Sequence, residues 1–171
     1  MADRAHPLAT LAAASPDCDA VQLAALPPVA RLIIRGDAAT IDLPLPDPLR
    51  AVIIGNNSVL WLGPDEFLLL AADQIAPAVI VRPPASLVDV SHRDTALTVS
   101  GPSSAWVINT FCALDLHPSA FPIGMCTRTL FGKATVVLWR TAAQDFRIDV
   151  ARSFAPYVWG CLEEARREFL A

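Results

Sequence analysis

The sequence predicts an α+β fold made of two ferredoxin-like subdomains, and three observations lead there. Apolar runs of five to eight residues recur along the chain, each closed by Gly, Pro or Asp, as short strands with tight turns would be. Two of these runs resemble each other in outline: Ala30-Arg-Leu-Ile-Ile-Arg-Gly-Asp and Thr95-Ala-Leu-Thr-Val-Ser-Gly-Pro. Helical periodicity enters after the second run and again at the C-terminus, so strands and helices mix without the regular alternation of a parallel α/β sheet. Residues 1–20 read as an N-terminal arm, 21–92 as a first α+β subdomain and 93–171 as a second. The two are expected to form one compact unit.

Taken in order, Met1–Asp19 is rich in Ala and Pro and reads as an extended arm or short helix. Val21–Leu26 and Ala30–Arg35 read as strands separated by Pro27-Pro28, a pair that cannot continue a hydrogen-bonded ladder. Prolines at 44, 46 and 48 exclude a long helix over Asp37–Asn57. Ser58–Leu62 and Glu66–Ala71 read as a hairpin turning at Gly63-Pro64-Asp65. A helical segment is expected over Asp73–Val81, and a short buried strand over Ser86–Ser91.

The second half is more clearly patterned. Thr95–Ser100 reads as a strand ending at Gly101-Pro102, followed by a helix to Phe111 with Trp106, Val107, Thr110 and Phe111 on one side. Met125–Phe131 and Ala134–Arg140 form a hairpin about Gly132-Lys133, and Phe146–Val150 alternates as a strand does. Ser153–Leu170 reads as a helix with Phe154, Val158, Cys161, Leu162, Ala165 and Phe169 on its apolar stripe. Glu163, Arg166 and Arg167 fall on the opposite face, with Glu163 and Arg167 spaced as an ion pair. Pro156 is tolerated because it lies in the first turn.

Composition narrows the function classes. Hydrophobic residues make up 54% of the 171 and charged residues 18%, with a mean hydropathy of +0.44. That balance fits either a membrane protein or a subunit that buries surface against partners. The apolar stretch Ala51–Val90 is interrupted by Asn56, Asp65, Glu66, Asp73 and Arg82, so no spanning helix is expected, and no signal peptide is read at the N-terminus. The expected location is cytoplasmic. A net charge of −4 with dispersed basic residues argues against nucleic acid. Lys133 is the one lysine among 13 basic residues. Genomic composition accounts for such a bias, as does a preference for Arg at interfaces. Cys18, Cys112, Cys126 and Cys161 lack zinc-type spacing and read as buried free thiols.

No catalytic, cofactor-binding or metal-binding constellation is found. Gly132-Lys133 lacks the upstream glycine and the following hydroxyl of a phosphate loop. His92-Arg93-Asp94 spells a kinase triplet without the kinase context, and Cys112 and His117 have no orienting third group. The four tryptophans, Trp61, Trp106, Trp139 and Trp159, are expected in the core.

Four runs carry a resemblance: Leu62-Gly-Pro-Asp-Glu-Phe-Leu-Leu-Leu70, Val88-Asp-Val-Ser-His-Arg93, the stretch Asp115–Arg140, and Phe146–Val150 with Arg152–Gly160. In these the chain resembles the gamma subunit of heterotetrameric sarcosine oxidase. The resemblance implies a reduced relative of the aminomethyltransferase/folate-binding fold, acting as a noncatalytic structural subunit. It implies a complex that demethylates sarcosine to glycine, passes the one-carbon unit to tetrahydrofolate and produces hydrogen peroxide. It also implies alpha, beta and delta subunits as partners, alpha in direct contact, with FAD, FMN, NAD and zinc held on those other subunits and no cofactor on this one. His92, Arg93, His117, Phe121, Arg128, Trp139, Arg152 and Trp159 are the candidate structural or interface residues. Asp37–Asn57 and Asp73–Pro84 are short and proline-rich where that fold has fuller helices. The alternatives are a stand-alone, folate-binding aminomethyltransferase-like protein and a homodimeric module.

Overall fold

The structure is a computed structural model that describes residues 6–72 and 80–170. Its strands are β1 (Gln22–Ala25), β2 (Ala30–Arg35), β3 (Ile41–Asp42), β4 (Ala51–Ile54), β5 (Asn57–Gly63), β6 (Glu66–Ala71), β7 (Ile80–Val81), β8 (Ser86–Asp89), β9 (Asp94–Ser100), β10 (Cys126–Phe131), β11 (Ala134–Ala142) and β12 (Asp145–Ala151). Three α-helices are described: α1 (Ala9–Ala13), α2 (Ser104–Asn109) and α3 (Ala155–Ala165).

Two five-stranded antiparallel sheets carry the fold, ordered β10-β11-β12-β9-β1 and β4-β5-β6-β2-β8. The orders are equivalent: a three-strand meander, then the strand that precedes it, then an edge strand. The edge strands are exchanged. β1 lies just before β2 in sequence but pairs with β9, whereas β8 lies just before β9 but pairs with β2. β1, which the sequence places in the 21–92 subdomain, therefore belongs to the sheet of the C-terminal half.

Two further features repeat with the topology. The β5–β6 and β11–β12 pairs each carry a register shift near the hairpin end, at Trp61/Gly63 and Arg140/Ala142. Gly36 after β2 and Gly101 after β9 take φ of +152° and +112°, and each backs onto the alanine that leads into the exchanged strand. A Cβ would lie 2.5 Å from Ala85 Cβ at the first and 2.6 Å from the Ala20 carbonyl oxygen at the second. The outline similarity in sequence thus marks a structural repeat.

The sheets stack, as burial on both faces of β6 requires: all six of its residues are buried. Between the sheets lie Leu60, Leu68 and Leu70 of one and Cys126 and Trp139 of the other, with Ile33 and Val137 alongside. The outer face of the C-terminal sheet, including Leu97, Val136, Phe146 and Ile148, packs under α2 and α3 around Trp159. The outer face of the other sheet is covered differently: Leu32, Ile34, Val59, Phe67 and Leu69 meet Ile41, Leu43, Leu45 and Val81. The proline-rich segment and the β3–β7 ladder thus sit where helices cover the second half. The sheets also join at one end, where Arg50 and Met125 form an antiparallel bridge.

Several elements differ from the sequence expectation. Ile80–Val81 is strand, and residues 73–79 of the expected helix lie outside the described residues. β4 was not expected, because its apolar residues follow three prolines. Ser86–Asp89 is a strand, as expected, but an exposed edge and not a buried one. α3 ends at Ala165 and gives way to a 3-10 turn over Arg167–Phe169. Arg166 is fully buried, not on the solvent face, and Glu163 pairs with Arg166 while Glu164 pairs with Arg167. Phe154 and Trp106 are exposed, against the expectation of core positions.

Candidate interaction site

Where the stacked sheets splay apart, between the β2–β6 side of one and the β10–β12 side of the other, a cleft of about 210 Å³ opens. Its floor is apolar, formed by Ile33, Leu62, Leu68 and Val137, and its walls carry Arg93, Asp94, Arg128 and Asp149. A second hollow shares Ile33, Arg93 and Arg128 and adds Arg35, Glu66 and Val88. Strand alternation gathers these side chains. Arg31, Ile33 and Arg35 project from one face of β2, Glu66 and Leu68 from the same face of neighbouring β6, and Arg147 and Asp149 from the side of β12 opposite Phe146 and Ile148.

Two carboxylates organise the charge. Glu66 accepts from Arg128 Nη2 at 2.5 Å and Nη1 at 3.2 Å, and from Arg35 Nη2 at 2.7 Å. The Arg128 hydrogen bond, helped by the charges of Arg128, Arg35 and Arg93, holds the Glu66 carboxyl below the ordinary glutamate value. Asp149, deeper, accepts from Arg31 Nε at 3.0 Å and Arg147 Nε at 2.6 Å. Burial disfavours its ionised form, but Arg147 and Arg31 overcome that and keep its pKa below the ordinary aspartate value. Arg93 is bidentate to Asp94, which raises its own pKa. The group as a whole has five arginines (31, 35, 93, 128, 147) and three carboxylates (66, 94, 149), a local excess of two positive charges on a chain of net −4.

The residues singled out from sequence divide by location. Arg93 and Arg128 meet at the cleft, with His92 exposed in the turn beside them. The Arg152 backbone N–H donates to the Arg93 carbonyl at 3.0 Å, placing Arg152 at the same end. Trp139 lies between the sheets, and its Nε1 has no hydrogen-bond partner among the described residues. Trp159 is in the helix-side core, donating to Glu163 Oε1 at 3.0 Å. Phe121 is buried in that core as well, 6.5 Å from Phe146. His117 stands apart on the surface, where Asp115 Oδ1 accepts its backbone N–H and its Nδ1 meets Ser119 Oγ at 2.7 Å. Buried Arg140 fixes that loop by donating to the carbonyls of Leu116, Phe121, Ala142 and Ala143 while stacking over Phe146.

Glu66, Arg35, Arg31 and Asp149 were missed from sequence. The alternation Phe146-Arg-Ile-Asp-Val150 did place Arg147 and Asp149 on one face, but nothing local revealed Arg31 as their partner. Among the described residues no group of three or more His, Cys, Asp or Glu is arranged to hold a metal, and no helix is long and apolar enough to cross a membrane. Burial pushes the Cys126 thiol up to about 12.

Comparison with known proteins agrees over most of the chain. The sarcosine oxidase subunit gamma of Corynebacterium sp. (strain U-96) is 35% identical over 69% of this chain, and that of Corynebacterium sp. (strain P-1) is 33% identical over 78%. These alignments span 60% and 68% of the relatives' own lengths. A chain of the heterotetrameric sarcosine oxidase from Corynebacterium sp. U-96, solved with pyrrole 2-carboxylate, superposes with a TM-score of 0.86 at 31% identity, covering 98% of this chain and 97% of that one. The glycine cleavage system aminomethyltransferase T of Bartonella henselae matches at a TM-score of 0.59 and 12% identity, over 90% of this chain and 47% of that one, a likeness of fold alone. Residues 24–168 match the family model described as "Sarcosine oxidase, gamma subunit family", and with the two-sheet fold shared end to end, the chain belongs to that family.

Proposed function

We propose that this chain is a noncatalytic structural subunit of a heterotetrameric sarcosine oxidase. In this reading it supports the oxidative demethylation of sarcosine to glycine, with one-carbon transfer to tetrahydrofolate and release of hydrogen peroxide. The alpha, beta and delta subunits are its partners, alpha in direct contact, and FAD, FMN, NAD and zinc reside on them. The complex is cytoplasmic. The observation that carries the reading is the superposition over almost the whole of both chains with one chain of the Corynebacterium sp. U-96 enzyme.

The internal chemistry supports the same reading. The buried ionic groups are spent on architecture: Arg31 and Arg147 on Asp149, Arg140 on backbone carbonyls, Arg166 on Glu163 and Val21. Among the described residues eleven large apolar side chains are exposed, Ile53, Trp106, Ile123 and Leu130 among them, as expected of a surface that meets other subunits. The likeness to aminomethyltransferase T brings fold and no binding residues, so it gives a folate site no support.

Co-expression with the other three subunits, followed by size exclusion, tests the proposal. The expected result is co-elution in a stoichiometric complex, with no flavin absorbance on the chain purified alone. A monodisperse monomer that never co-elutes with the oxidase would refute it. Calorimetry of the isolated chain with tetrahydrofolate addresses the enzyme alternative: micromolar binding would revive it, and absence of heat would end it.

A further inference from the structure

Among the strands whose burial is described, β8 is the most exposed. All four of its residues are exposed, and its apolar pair Leu87 and Val88 is 36% and 52% accessible. One side of β8 pairs with β2, and among the described residues the other side has no partner. The Val90 N–H donates to the Arg31 carbonyl, so alternation along an antiparallel ladder turns the N–H and C=O of Leu87 and Asp89 outward, to the open edge. Exposed edges are ordinarily guarded by lysine, proline or a bulge within the strand. Ser86-Leu-Val-Asp89 has none of these, and its one charged group, the Asp89 carboxylate, is turned back to accept from the Ser91 N–H and hydroxyl.

The second hollow lies against this edge. Val88 lines it beside Arg35, Arg93 and Arg128, and the Ser86 end of β8 is in register with Arg35. The three guanidinium groups are partly exposed and not saturated. Arg35 gives only Nη2 to Glu66, Arg128 gives both Nη atoms to Glu66, and Arg93 gives Nε and Nη2 to Asp94. Nε and Nη1 of Arg35, Nε of Arg128 and Nη1 of Arg93 therefore remain as donors among the described residues. An open, apolar strand edge bordered by three guanidinium groups with unused donors is complementary to an extended segment that is apolar and carries carboxylates.

We propose that β8 is a docking edge, to which an extended segment of another subunit adds as a sixth strand of the sheet, with Asp or Glu side chains of that segment seated on Arg35, Arg93 and Arg128. The inference rests on the subunit reading above and names where that contact is made. Backbone pairing with Leu87 and Asp89 supplies the register, and the arginines select for acid. Carboxylates within reach of their free nitrogens form charge-assisted hydrogen bonds there.

Hydrogen exchange of the wild-type chain, free and within the co-expressed four-subunit complex, tests it directly. Amides of residues 85–91 are expected to slow at least tenfold on assembly. R35Q and R93Q, both at exposed side chains, are each expected to weaken assembly about tenfold, and the loss is expected to shrink as salt rises. A complex that forms while residues 85–91 exchange as in the free chain overturns this inference and leaves the subunit reading standing. Failure of the wild-type complex to form overturns both. Protection of the same amides in a dimer of the isolated chain, identified by light scattering, overturns the acidic partner in favour of a second copy.

Discussion

Arg166 Nη1 donates to the backbone carbonyl of Val21 across 3.1 Å, joining the end of α3 to the entry of β1 over 145 residues of sequence. The same guanidinium donates through Nη2 to Ser15 Oγ and through Nε to Glu163 Oε2 at 2.9 Å. Ser15 in turn donates to Glu163 Oε1 at 2.7 Å. The N-terminal arm, whose Leu8 is fully buried, is thereby latched to the C-terminal helix.

Replacing Arg166 with Met keeps much of the volume but leaves the Val21 carbonyl and Ser15 hydroxyl short of a donor. The expected cost is about 2–3 kcal/mol, from the unsatisfied buried Val21 carbonyl and the unpaired, partly buried Glu163 carboxylate. Urea denaturation measures it. Hydrogen exchange is expected to accelerate over residues 8–15 and much less over the β2–β6 pair.

Asp149→Asn removes the one carboxylate that faces both Arg31 and Arg147 between the sheets. Buried Arg31 and partly buried Arg147 then share a neutral partner, and a loss of about 3–5 kcal/mol is expected, as for a broken buried pair. Arg31→Met combined with Asp149→Leu is expected to recover part of that loss, because the uncompensated Arg31 charge goes with the carboxylate. Equilibrium unfolding of the single and double variants checks this.

Glu66 gives a pH dependence of definite sign. Its folded pKa lies below the ordinary value of 4.5, so ionised Glu66 stabilises the fold. That contribution is complete above pH 4.5 and is lost as pH falls through the lower folded value. In Glu66→Gln the drop in stability below pH 4.5 is expected to be shallower than in the unsubstituted chain. Unfolding midpoints collected from pH 6 down to pH 3 compare the two.

Gly101→Ala forces a Cβ to within 2.6 Å of the Ala20 carbonyl oxygen, at a φ of +112°. A contact with backbone cannot be relieved by a rotamer change, so a loss of about 1–3 kcal/mol is expected. Gly55→Ala, at a φ of +59° with nothing within 4 Å, is the matched control, at about 1 kcal/mol of backbone strain. Thermal unfolding of both variants is expected to show the larger loss at Gly101, where the backbone contact adds to the strain.

Local pattern revealed the C-terminal sheet well. The hairpin about Gly132-Lys133, the alternation of Phe146–Val150 and the terminal helix each follow from turn chemistry and period. Which strand lies beside which was hidden, because β1 and β8 take their partners from the distant half of the chain. Burial was misjudged where apolar character and position disagree. Leu87 and Val88 read as core but lie on an edge, and Arg166 reads as solvent-facing but is enclosed by the arm. At the cleft, Arg93 and Arg128 stood out within family-like runs, whereas Glu66 looked like an ordinary strand residue after Gly-Pro-Asp. Its importance comes from two arginines 31 and 62 residues away, a separation at which sequence periodicity is silent.

The exchanged edge strands have a consequence for how such a chain can be divided. A cut between β7 and β8 yields two polypeptides, each carrying an edge strand of the other's sheet. Neither fragment alone holds five strands of one sheet, and each exposes a ladder that only its counterpart completes. The halves are thus built to recognise each other, and loss of either repeat strands the survivor with a foreign edge and an unfilled one.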